Sequence, residues 1–140
     1  MILRCNFEEL RALTAGGRSL LEGDSETHAP VLAPAESRAR VEALLPRLVG
    51  DLTVTSLAEA RGMQKAVGAI VEHLRAEMEA MVLATHAADE SAVAAYFDFA
   101  HAFSVSHRLR EMVTEMEALV ELVTGEPADA ETAHTFRFPD

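Results

Sequence analysis

Residues 56–87, SLAEARGMQKAVGAIVEHLRAEMEAMVLATHA, and residues 90–124, ESAVAAYFDFAHAFSVSHRLREMVTEMEALVELVT, decide the fold. In the first stretch Val67, Val71, Leu74, Met78, Met81 and Thr85 recur at alternating four- and three-residue intervals. That is the ~3.5-residue period of a packed helix seam. Ile70 and Val82 widen it to a core-facing stripe. In the second stretch Val105, Leu109, Met112, Met116, Leu119 and Val123 repeat the alternation. Ser56-Leu57-Ala58-Glu59 opens the first helix as a capping box. The apolar spacing resets around Ala88 to Ser91, where Asp89 or Ser91 can cap a new helix, and Gly125-Glu126-Pro127 ends it. The pattern predicts a long antiparallel αα-hairpin.

With the turn centred near Asp89, residues whose numbers sum to about 178 face each other. Met81 then meets Phe97, Met78 meets Ala100, and Leu74 meets Phe103 or Ser104. Leu109, Met112 and Met116 lie opposite Ala69, Ala66 and Gly62, so Gly62 and Gly68 acquire a packing role that offsets their cost inside a helix.

Helix length adds a second inference. Leu57 to Ala87 would extend roughly 45 Å and Glu90 to Thr124 roughly 50 Å. A compact monomer of this size measures under about 40 Å across. Either the helices break, with Gly62 as the weak point, or a second chain packs on them. The run Ala92 to Phe103 is apolar nearly all round, as in a helix buried on more than one side. A symmetric dimer forming a four-helix bundle satisfies both observations. The expected interface residues are Tyr96, Phe97, Phe99, Phe103, Met112 and Met116.

Outward from the hairpin the signals are shorter. Met1 to Cys5 is a strand candidate, and Asn6 with Glu9 forms a capping box by residue type. Phe7, Leu10, Leu13, Leu20 and Leu21 give the next helix its apolar face, with Gly16-Gly17 placed to stop or break it. Residues 23–34 read as a connection containing Pro30 and Pro34. A second helix runs from about Ala35 to Val49, where Pro46 kinks it or ends it early. Asp51 to Thr55 alternates like a strand, and so do Phe136 and Phe138 in the tail. The expected fold is mainly α, a helical bundle built on the hairpin, with these short segments leaving room for a small minor β-sheet (α+β). One domain spans 1–140: N-terminal helices and short strands over 1–55, the hairpin over 56–125, and a tail with a strand candidate over 126–140.

Composition restricts function. A net charge of −11 argues against tracking nucleic-acid phosphates, which needs Lys and Arg. No apolar run approaches the roughly 18 residues of a membrane span. The single cysteine, Cys5, has no internal partner for a disulfide, and no signal peptide is visible, so the default location is cytoplasmic.

The chemistry-bearing residues form no signature. Asp98 with His101 and His107 with Glu111 each place two ligand types on one helix face. A di-iron bundle needs paired Glu-x-x-His motifs, and the one such spacing here, Glu131 to His134, falls in the tail. No two histidines stand four apart, as a helical zinc site would want. His73 among Glu72, Arg75 and Glu77 reads as solvated, and His86 as favoured near a helix C-terminus. Cys5 has no neighbouring histidine to activate it. Neither glycine pair makes a phosphate loop, since Lys65 is not followed by Ser or Thr. Met63, Met78, Met81, Met112 and Met116 read as core filling, with an adaptable groove for an amphipathic target as the alternative. Glu111, Glu115, Glu117 and Glu121 read as a solvated face.

The expectation is therefore a homo-oligomeric interaction or assembly protein, not an enzyme, with no cofactor or metal. Its expected partner is itself, with another protein second, and neither nucleic acid nor membrane. The alternatives are a metal- or small-ligand-binding bundle, catalytic or not, around Asp98, His101 and His107, and an acidic regulator of a basic protein.

Overall fold

A computed structural model describes residues 1–22, 34–85 and 90–139. The elements run β1 (Ile2–Leu3), α1 (Phe7–Glu22), α2 (Ala35–Leu44), a 3₁₀ turn (Leu45–Arg47), β2 (Leu52–Thr53), α3 (Leu57–Thr85), α4 (Glu90–Thr124) and a second 3₁₀ turn (Glu131–Thr135). The fold is a mainly α bundle on a long hairpin, with a small two-stranded antiparallel sheet. The expected connection over residues 23–33, the turn at 86–89, the Asp89 cap and the placing of His86 near a helix C-terminus lie outside the described residues.

Local chemistry starts the helices. The Glu9 amide donates to Asn6 Oδ1 at 2.8 Å and the Asn6 amide to Glu9 Oε1 at 3.0 Å, a complete capping box. At α3 the Glu59 amide donates to Ser56 Oγ at 3.1 Å. The returning carboxylate accepts instead from the Thr55 amide at 3.2 Å, one residue upstream of the expected partner. Pro46 ends α2 early by forcing a 3₁₀ turn.

The core lies along the hairpin, with Val67, Ile70, Val71 and Leu74 of α3 and Val105, Leu109, Val113, Met116 and Val120 of α4 buried. The expected seam is corrected at its ends: Val82, Leu119 and Val123 are exposed, and Val113 and Val120 take the inward positions on α4. Leu13 and Leu20 of α1 and Val41 and Leu44 of α2 join the same cluster. Arg61 Nη2 reaches Glu117 Oε2 across the seam at 2.8 Å, a pair whose numbers match the expected facing register. Glu117 is thus tied to α3 rather than part of a free acidic face.

Two expectations about glycine are reversed. Gly16-Gly17 does not stop α1, which continues to Glu22. A Cβ on Gly16 would stand 2.8 Å from Ile70 Cγ2, and one on Gly17 2.8 Å from Leu45 Cδ2. At this pair α1 approaches its neighbours too closely for a side chain to fit without displacing them. Gly62 and Gly68 are not packing glycines, because a Cβ at either would meet nothing within 4 Å. Nor does α3 break at Gly62. Its 29 residues extend about 44 Å and the 35 of α4 about 52 Å.

β1 pairs with β2 antiparallel, Ile2 opposite Thr53 and Leu3 opposite Leu52. The tail is not a third strand of the sheet: it forms one isolated antiparallel bridge, Arg137 with Ser56, outside β1 and β2. The Phe138 amide donates to the Thr55 carbonyl at 2.7 Å, and Phe138 is buried with its ring 5.0 Å from that of Phe136. The Met1 amino group bonds the Val54 and Pro139 carbonyls at 2.8 and 2.7 Å. The segment before α3 therefore gathers both ends of the described chain at the base of the hairpin.

Candidate interaction surface

Helix α1 lies over the α3–α4 groove and is fastened at three points. Arg108 of α4 donates to Glu9 and to the Arg4 carbonyl. Arg11 reaches Asp98 Oδ1 at 2.7 Å. Ser19 Oγ sits 2.9 Å from His73 Nε2 and 3.1 Å from Glu77 Oε1. Burial opposes the charge on Glu9, but the Asn6 backbone and Arg108 outweigh it and hold its carboxyl below the usual range. The hydrogen bond from His73, assisted by Ser19, outweighs burial and holds Glu77 low as well.

The Ser19–His73–Glu77 cluster has the residue types of a catalytic triad with the wrong connectivity. A triad needs the serine on one ring nitrogen and the carboxylate on the other. Here His73 Nε2 lies 2.9 Å from both Ser19 Oγ and Glu77 Oε1, and the Ser19 hydroxyl donates to Glu77. A nitrogen donating to the carboxylate has no lone pair with which to take the Ser19 proton, so the cluster is a polar latch between α1 and α3. His73 is correspondingly not solvated, its side chain being only 11% exposed. The Ser19–His73 contact leaves no mark in sequence, although His73 and Glu77 four apart are visible as a same-face pair.

The other candidate ligands are dispersed. Asp98 is engaged by Arg11, while His107 Nε2 pairs with Glu111 Oε1 at 3.2 Å on an exposed face. Among the described residues no three His, Cys, Asp or Glu side chains group as a metal site requires. Cys5 has its thiol pushed up to about 11, mainly by burial, which keeps it protonated and unreactive. No described helix is long and apolar enough to cross a membrane.

What α1 and α2 leave uncovered is the outer face of the hairpin toward its tip. Tyr96 and Phe97 are each 54% exposed and Phe103 49%, with Val82, Leu83 and Val93 exposed beside them. The Tyr96 and Phe97 rings stand edge to face at 5.7 Å. Between α3 and α4, Met78, Val82, Ala92, Val93, Tyr96 and Phe97 line an open apolar groove of about 360 Å³. Of the six expected interface residues, Tyr96, Phe97 and Phe103 lie on this surface. Phe99 is half-buried, 5.9 Å from Phe103 and packed on the core. Met112 is also partly buried against the core, and Met116 is wholly inside the chain, which leaves Met116 nothing to offer a second molecule. Their seam spacing could not separate an intramolecular contact from an intermolecular one.

Fold and surface define a class: a long-hairpin helical bundle with an uncovered aromatic face near its tip. No protein-family model, curated protein or solved structure matches the chain.

Proposed function

We propose that the chain is a non-enzymatic interaction or assembly protein that works as a homo-oligomer, with the aromatic face of the hairpin as its contact surface. The observation that carries this reading is the exposure of Tyr96, Phe97 and Phe103 together on one helix. At about 200 Å² per aromatic side chain, these three half-exposed rings alone present on the order of 300 Å² of apolar surface. Val82, Leu83 and Val93 extend it, past the size at which such patches mark interaction sites. His73 bonds Glu77 and Asp98 pairs with Arg11, which supports reading these two clusters as contacts that hold α1 in place.

The test is a paired substitution, Tyr96→Ser with Phe97→Ser, followed by sedimentation velocity and circular dichroism. Both rings are already half in water, so the helix content stays unchanged while the sedimentation coefficient falls to the monomer value. An unchanged coefficient with unchanged helicity would remove this face from the interaction.

A further inference from the structure

We infer that two copies pair through α4 in antiparallel fashion about a two-fold axis beside Ala100, each inserting Phe103 into the other's apolar groove. The inference rests on the self-association proposed above and adds its geometry.

Successive residues turn by about 100° around a helix. With Ala100 facing outward, Ala92 and Glu117 project to one flank of α4 and Ser104 and Arg108 to the other. The first flank belongs to α3, since Glu117 pairs with Arg61 and Ala92 shares the groove with Met78 and Val82. The second belongs to α1, since Arg108 holds Glu9. Phe103 leans to the α3 flank, where Phe97 walls the groove together with Met78 and Val82.

A two-fold axis at Ala100 sets Phe103 of the second copy level with Phe97, on the α3 flank. There the groove between Met78, Val82, Val93, Tyr96 and Phe97 opens, and its volume of about 360 Å³ admits a phenyl ring. Phe103 of the second copy then packs against the Phe97 ring at the groove wall. Ala100 between them is small enough for the axes to approach to about 8–10 Å. The operation is reciprocal, as an isologous contact must be.

Charge favours a second copy as occupant of this patch, on which Tyr96, Phe97 and Phe103 stand about half exposed. The chain carries −11, yet residues 91–106 contain one acidic residue, Asp98, and Arg11 neutralises it. This is the face on which two acidic molecules meet without like charges being buried.

The experiment is disulfide trapping in a Cys5→Ser background. Ala100→Cys cross-links to itself under mild oxidation, because its equivalents lie across the axis. Val93→Cys does not, because antiparallel copies set the two Val93 positions about 21 Å apart along the helix. A disulfide needs Cα atoms within about 7 Å. Val93→Cys mixed with His107→Cys does cross-link. Self-linking of both Ala100→Cys and Val93→Cys would show parallel pairing and overturn the inference. A dimer by mass with no link at Ala100 would overturn the geometry while leaving self-association standing. A monomer by mass would overturn both.

Discussion

Glu9 of α1 and Arg108 of α4 form an ion pair in which the carboxylate is buried and the guanidinium also takes the Arg4 carbonyl. One side chain thereby closes the α1 capping box and holds α1 on the hairpin. Glu9→Ala removes both functions and leaves Arg108 without its anion. The expected cost is about 2–3 kcal/mol, read as a shift in the urea midpoint, because a cap and a charge-assisted hydrogen bond are lost together. A loss below about 0.5 kcal/mol would mean that the Glu9–Arg108 pair does not hold α1 on the hairpin.

Acid should loosen the same contacts. Glu9 and Glu77 both titrate below their ordinary range in the folded chain. Their contribution is therefore complete above the unfolded value of about 4.5 and is lost as pH falls through the lower folded values. Urea midpoints measured from pH 7 to pH 3 should drop below pH 4.5. The drop should be shallower in Glu77→Gln, and an identical profile in that variant would remove Glu77 from the account.

The glycines give a prediction of opposite signs. Gly16→Ala forces a methyl against Ile70 and Leu74 at under 3 Å and should destabilise by about 1–3 kcal/mol. Gly62→Ala meets open space and should stabilise by up to about 1 kcal/mol through helix propensity. Thermal melts of the two variants check this directly.

That contrast also marks how far sequence reached. The Asn6–Glu9 capping box and the Ser56 cap were legible because they depend on residues three apart, and the hairpin because it depends on a repeating period. The role of Gly16 was not, because it is set by Ile70 and Leu74 of a different helix. The same holds for Arg108 finding Glu9 and for His73 finding Ser19. Exposure within the candidate set was not legible at all. The apolar character of Tyr96, Phe97 and Phe103 showed in the sequence, but only the folded chain separates them from Met116, which the same spacing placed beside them.

The tail should contribute to stability. Phe138 is buried and its amide bonds Thr55, so deleting residues 134–140 removes about 2 kcal/mol of burial and exposes the base of the hairpin. A fall in Tm on the order of 5–10 °C is expected. An unchanged Tm would show that the Arg137–Ser56 bridge carries no stability.

Phe99→Glu is a poor probe of association, because Phe99 packs on the core and its loss would unfold the chain. The most direct measurement is the absolute mass of the unaltered protein by light scattering after size exclusion, at micromolar concentration and moderate salt. The account predicts twice 15.2 kDa or a larger multiple. A single species of 15.2 kDa would contradict it.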